Sequence, residues 1–219
     1  MSFDFDFTSH PFTSPGYLKA KVPDEVRAEI QKSIDGLENG SIPWVENRPV
    51  GRRHLTSETK LPVTPLAKEF VEIMCYEYDN VFKGGDHVFW SQVNFDDRHL
   101  GRYDAKNMWI NHSYKYDFNP VHSHEGCFAF VIWVDIPYNL EDELSLHGGH
   151  AEMNSLFTFQ WTNAKGKLRT EPLYVDKSWE WNIIVFDAFL PHSVFPFYTS
   201  DEARVSIAGD VYVTLDTPS

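Results

Sequence analysis

The sequence has few cysteines, no long apolar run and no excess of positive charge. Only two cysteines, Cys75 and Cys127, occur among 219 residues, which argues against a disulfide scaffold and favours a reducing, cytoplasmic setting. No apolar run approaches the roughly 20 residues that a membrane-spanning helix needs. The first residues carry acids among aromatics rather than the basic segment of a signal peptide. We therefore expect no membrane partner.

Acidic residues outnumber basic ones by 32 to 19, which gives a formal net charge of −13. Binding to a nucleic-acid backbone needs a basic surface, so a nucleic-acid partner is not expected. Aromatic residues, by contrast, make up 16% of the chain. Such a content favours a strand-rich core, because aromatic side chains pack well on pleated sheets.

The order of the predicted elements favours an α+β, mainly β fold. Amphipathic helices are predicted at 22–40 and 64–82, after an extended N-terminal arm and on either side of a polar linker over 41–63. About eight short apolar or alternating runs follow, from HVFWSQVNFDD at 87–97 to RVSIAGDVYV at 204–213. This pattern predicts a double-stranded β-helix (a jelly-roll or cupin-like barrel) with the N-terminal helices packed on one sheet.

A single domain over residues 1–219 is sufficient for a chain of this length. We expect residues 1–83 to supply the N-terminal arm and the supporting helices. Residues 84–219 are then expected to form the jelly-roll core that carries the site.

The segment NPVHSHEG, at residues 119–126, places three polar groups directly before a strongly apolar run. His122 and His124 share one face if the segment is a strand, and Glu125 then points to the other face. A third histidine, His192, begins the distant run HSVFPF. Imidazole is the commonest metal ligand in proteins, so the three histidines are candidates for one metal site. The alternative is that they are hydrogen-bonded core or surface histidines.

Arg204 follows His192 by twelve residues, and Ser206 shares its strand face. An arginine that points into an apolar barrel needs an anion, and its planar fork suits a carboxylate. Ion pairs with Asp201, Glu202 or Asp210 are the competing interpretation. The HGGH segment at 147–150 is interpreted as a turn between strands rather than a second metal site.

Taken together, these segments resemble the 2-oxoglutarate- and Fe(II)-dependent oxygenases over residues 105–212. The similarity is to a small subgroup with a W-x-N segment, an N-x-x-H-x-H segment, a strand ending in Pro, and a distal H-x-V followed by R-x-S. Here these elements are Trp109 and Asn111, then Asn119, His122 and His124, then Pro137, and finally His192, Val194, Arg204 and Ser206.

The resemblance implies a dioxygenase that uses Fe(II), 2-oxoglutarate and O2. His122 and His192 would bind the iron, while Arg204, with Ser206 and Asn111, would bind 2-oxoglutarate. The expected reaction hydroxylates a small molecule or an amino-acid side chain and releases succinate and CO2. No catalytic residue is expected beyond the metal ligands, since the iron and the co-substrate carry the chemistry.

The third ligand departs from the common pattern of two histidines and one carboxylate, because His124 occupies the carboxylate position. Strand geometry favours His124, and Glu125 is the alternative if a bulge turns it inward. Two other functions stay open. One is a cupin-like three-histidine metalloenzyme without 2-oxoglutarate, in which Arg204 has no role. The other is a non-catalytic jelly-roll binding module. A homodimer is also left open.

Overall fold

The computed structural model of the chain describes residues 6–10, 16–43, 57–82, 101–146, 151–163 and 165–215. The N-terminal elements in these ranges are β1 (Phe7–His10), β2 (Tyr17–Lys21), α1 (Asp24–Glu38), β3 (Ser57–Lys60) and α2 (Pro65–Phe82). The later elements are β4 (Gly101–Ser113), β5 (Asn119–His122), β6 (Phe128–Asp135), α3 (Leu140–Ser145), β7 (Phe157–Thr162), β8 (Leu168–Leu173), β9 (Asn182–Asp187), β10 (His192–Val194) and β11 (Arg204–Leu215).

The strands form two antiparallel sheets. The larger sheet has the order β1-β2-β9-β6-β11-β4-β3, and the smaller has the order β5-β10-β7-β8. An aromatic core lies between them, where Phe186 of β9 and Phe159 of β7 have ring centroids 4.9 Å apart. Two sheets joined through such a core are the predicted double-stranded β-helix, and this prediction is confirmed.

The two long helices pack on the outer face of the larger sheet. In α1, Val26, Ile30 and Ile34 recur at helical spacing and are buried, so that one side of the helix is apolar. The buried side of α2 joins the same cluster, together with residues of β4, β6 and β9. Burying each large apolar side chain contributes about 1.5–3 kcal/mol. The prediction that the helices pack on one sheet is therefore confirmed.

The polar linker predicted at 41–63 contains a strand, contrary to expectation. Strand β3 has the sequence SETK and pairs with β4 at the edge of the larger sheet. An edge strand can consist of polar residues, because its outer side faces solvent. The polar composition of residues 57–60 therefore indicates a loop when the sequence is considered alone. The predicted strand at 87–97 and the predicted turn at 147–150 lie outside the described residues.

The register of β11 determines which side chains face the space between the sheets. Arg204, Ser206 and Ala208 pair with Ser113, Asn111 and Trp109 of β4, and all six line one cavity. Strand β6 runs along the other side of β11. In the described parts of the chain, no helix is both long and apolar enough to cross a membrane.

Candidate metal and co-substrate site

Three histidines from separate parts of the chain meet at the cavity. The ligand atoms of His122, His124 and His192 all lie within 4.8 Å of one another. His122 and His192 are register partners across β5 and β10, while Nε2 of His124 lies 3.1 Å from Nε2 of His192. The structure thus brings together the three histidines that the sequence analysis selected.

The position of His124 has a different cause from the one expected. Strand β5 ends at His122, so the two histidines do not share a strand face. His124 lies in the following loop, where its backbone N–H donates to the carbonyl of Ala188 at 2.8 Å. Glu125, the alternative third ligand, is exposed and lies outside the histidine cluster.

Each histidine presents Nδ1 to an acceptor of the protein. Nδ1 of His122 lies 2.7 Å from the Pro120 carbonyl oxygen, and Nδ1 of His192 lies 3.0 Å from that of Leu190. Nδ1 of His124 lies 3.0 Å from Oδ1 of Asp210, without the alignment of a hydrogen bond. Protonation at Nδ1 leaves the Nε2 lone pair free, which is the arrangement found in metal-binding histidines.

The histidines fit a metal ion by distance and by charge. Metal–nitrogen bonds of about 2.1 Å at a right angle place two nitrogens about 3 Å apart, close to the 3.1 Å between His124 and His192. Burial lowers the pKa of His122 and holds that of His192 well below its ordinary value. Both rings are therefore neutral at neutral pH, as metal ligation requires.

Arg204 lines the same cavity from the beginning of β11. Its side chain is 4% exposed. One terminal nitrogen donates to the Ser155 carbonyl at 3.2 Å and to the Tyr138 hydroxyl at 3.4 Å. The other donates to the Phe195 carbonyl at 3.5 Å. These acceptors are neutral, so they orient the guanidinium without balancing its charge.

The acidic residues considered as partners of Arg204 lie elsewhere. Asp201 is 3.4 Å from the Lys115 ammonium, and Asp210 faces His124. Among the residues that the structure describes, Arg204 forms no ion pair. A buried guanidinium without a counter-ion is costly, so the cavity is suited to an anionic ligand.

Ser206 and Asn111 complete the polar wall that the sequence analysis assigned to 2-oxoglutarate. They are register partners on β11 and β4, both are partly buried, and both line the cavity of about 270 Å³. Trp109 stacks on the ring of His124 with centroids 5.7 Å apart. A polar lining therefore extends from Arg204 to the histidines, beside an aromatic wall.

Glu58 was missed by the sequence analysis. It lies on β3, pairs with Asn111 and lines the cavity. Burial raises the pKa of the Glu58 carboxyl, His124 lowers it, and Asp210 raises it. The signal in the sequence was weak, because Glu58 belongs to a polar tetrapeptide whose strand partner lies more than 50 residues away.

A model of a known protein family matches the part of the chain that carries the candidate site. Residues 107–210 match the family model described as "Putative 2OG-Fe(II) oxygenase". This match covers 104 of the 219 residues, and over them the chain is similar to the 2-oxoglutarate- and Fe(II)-dependent oxygenases. Members of this family require Fe(II), 2-oxoglutarate and O2, and the match indicates an enzyme of this type. The resemblance drawn from the sequence is confirmed.

Several solved structures are similar to this chain at low identity. A prolyl-4-hydroxylase from Pseudomonas putida is 15% identical, with 89% of this chain and 90% of that chain covered and a TM-score of 0.46. A 2OG-Fe(II) oxygenase family oxidoreductase from Burkholderia pseudomallei is 14% identical, with 84% and 79% covered and a TM-score of 0.45. No curated protein gives a significant match. These similarities identify no substrate for the present chain.

Proposed function

We propose that this oxygenase hydroxylates a small molecule or an amino-acid side chain, with His122, His124 and His192 as the iron ligands. Arg204 would bind the distal carboxylate of 2-oxoglutarate, assisted by Ser206 and Asn111. The observation that carries this proposal is the buried guanidinium without a carboxylate partner, on the wall of the cavity that also holds the three histidines.

The protein residues orient the co-substrate and the ligands. Bound Fe(II) and 2-oxoglutarate supply dioxygen activation, in which 2-oxoglutarate is converted to succinate and CO2 and one oxygen atom enters the substrate. Arg204 provides a planar, two-point contact for a carboxylate. Two backbone carbonyls orient the rings of His122 and His192, and the Asp210 carboxylate lies beside Nδ1 of His124. Trp109 and Trp133 form an apolar wall that limits the access of water.

Two properties of the protein support the proposed substrate class, namely the size of its cavity and its net charge. The cavity of about 270 Å³ and an adjoining groove of about 670 Å³ are of the size that small ligands occupy. The net charge of −13 disfavours a nucleic-acid substrate, since such binding needs a basic surface.

The decisive experiment is an anaerobic titration of the protein with Fe(II) and 2-oxoglutarate. A metal-to-ligand charge-transfer band reports chelation of the iron by the keto acid, and succinate formation reports turnover. Arg204→Lys keeps the charge and loses the planar fork, so 2-oxoglutarate affinity should fall roughly tenfold to hundredfold. Arg204→Met should lose more, because the carboxylate is left without a partner.

Iron binding should survive both Arg204 variants, because Arg204 is not among the candidate ligands. The exposed Arg169 on β8 offers a matched control, and Arg169→Met should behave as the wild type. Unchanged 2-oxoglutarate affinity in Arg204→Met would show that the co-substrate binds elsewhere. Iron binding without a charge-transfer band would favour the cupin-like metalloenzyme instead.

A further inference from the structure

A surface groove meets the metal cavity at two residues. The groove of about 670 Å³ and the cavity of about 270 Å³ are both lined by Glu58 and Trp109. Lys60, two residues after Glu58 on β3, is the register partner of Trp109 on β4. Glu58 and Trp109 are therefore diagonal neighbours on the sheet. Because Trp109 stacks on His124, this junction lies beside the candidate metal ligands.

The Glu58 carboxylate forms no hydrogen bond and no ion pair within the described ranges, although it is partly buried. The lysines of the groove do not neutralise it. Lys60 is exposed and is not within ion-pair distance of Glu58. Lys106 lies 3.5 Å from Asp104 and so has a carboxylate of its own. A partly buried carboxylate without a counter-ion is unfavourable, so the junction is suited to a cation.

We propose that the primary substrate carries an ammonium or guanidinium group, which binds between the Glu58 carboxylate and the Trp109 ring. A carboxylate gives a charge-assisted hydrogen bond to such a group, and an indole face attracts cations. The net charge of −13 also favours the approach of cationic ligands. This inference rests on the proposed function, because it requires that the substrate bind beside loaded iron.

The test uses the full chain loaded anaerobically with Fe(II) and 2-oxoglutarate. Two probe pairs differ in charge and hardly in shape, and their neutral members carry no ammonium group: n-butylguanidinium with n-butylurea, and n-pentylammonium with 1-pentanol. Binding of each probe is measured as a change in the charge-transfer band. In the wild type, the cationic member of at least one pair should bind roughly tenfold to hundredfold more tightly than its neutral partner.

Glu58→Gln keeps the shape of the side chain and removes its charge, so the preference for the cationic probe should disappear. Glu58→Asp should retain part of the preference. The control Glu171→Gln removes a charge from the exposed strand β8 and should leave the preference intact. Each comparison is made between the two probes within one variant.

Four outcomes would count against the proposal. Equal binding of charged and neutral probes to the wild type, or no binding of either cationic probe, shows that the junction is not a cation site. A preference that persists in Glu58→Gln assigns recognition to another group. The absence of a charge-transfer band in the wild type before any probe is added contradicts the proposed function itself, and is distinguishable from the other three outcomes.

Discussion

At the scale of single residues, the candidate metal site combines three histidines with a carboxylate that lies beside one of them. His122 and His192 are held by backbone carbonyls, whereas His124 faces Asp210 at 3.0 Å. A three-histidine site lacks the anionic ligand of the common pattern. Asp210 places a carboxylate next to one imidazole, which would make that ring a stronger donor to a bound metal.

We predict that Asp210→Asn weakens Fe(II) binding by roughly tenfold to hundredfold, the range typical of partners behind a metal ligand. The amide still offers an oxygen to Nδ1 of His124, so the loss reports the charge rather than the contact. The measurement is anaerobic metal titration of the purified variant.

Glu125→Gln is the control for Asp210→Asn, because the exposed Glu125 follows His124 directly in the chain. It should bind Fe(II) as tightly as the wild type does. An Asp210→Asn variant that binds Fe(II) with wild-type affinity would show that the Asp210 charge does not contribute to metal binding. A strong loss in Glu125→Gln would instead favour the carboxylate as the third ligand.

At the scale of elements, β11 connects the site to the supporting helices because its two faces have different roles. Arg204, Ser206 and Ala208 line the cavity, and Gly209 lies on the opposite face. A Cβ atom on Gly209 would lie 2.3 Å from the Asn107 carbonyl oxygen and 2.5 Å from the Phe130 ring. The carbonyl belongs to a paired strand, so it cannot move without disturbing the sheet.

We predict that Gly209→Ala lowers the free energy of unfolding by about 1–3 kcal/mol, the usual cost of overpacking. Urea unfolding would measure this as a lower midpoint with an unchanged slope. The folded variant should still bind Fe(II), because Gly209 does not face the cavity. A wild-type midpoint would mean that the neighbouring strand moves apart more easily than its pairing suggests.

The sequence was sufficient for the elements that have strong periodicity. The helices α1 and α2 lie close to their predicted bounds, and the apolar runs of β6 and β9 are strands. Strand β3 was not predicted, because its polar tetrapeptide becomes a strand only through pairing with β4. For the same reason Glu58 was missed at the cavity.

The contact between His124 and Asp210 could not be predicted from the sequence either. From the sequence, Asp210 is a candidate partner of Arg204, which lies six residues earlier on the same strand. In the structure, the loop after β5 brings His124 to Asp210, 86 residues away along the chain. A contact of this kind depends on sheet register, which no local pattern encodes.

At the scale of the whole molecule, the elements that precede the predicted core also build the larger sheet. Strands β1, β2 and β3 all lie before residue 84 and belong to the seven-stranded sheet. We propose that residues 1–219 form a single domain in which the first 83 residues contribute strands as well as helices. Residues of both sheets then form the candidate metal site, since two of its histidines lie in the smaller sheet and Asp210 lies in the larger.

An ion bound at this site should stabilise the whole fold, because it connects β10, β5 and the loop that contacts β11. Ligand that binds only the native state adds about 2.7 kcal/mol at a concentration one hundred times its dissociation constant. For a chain of this size, such a gain raises the midpoint of thermal unfolding by about 5–10 °C.

We predict this rise when Fe(II) is added anaerobically to chelator-treated protein, and its loss when the chelator is restored. His192→Ala should show no rise with Fe(II), since it removes the most buried of the three candidate ligands. Equal midpoints with and without Fe(II) in the wild type would contradict iron binding by the three histidines in the native protein.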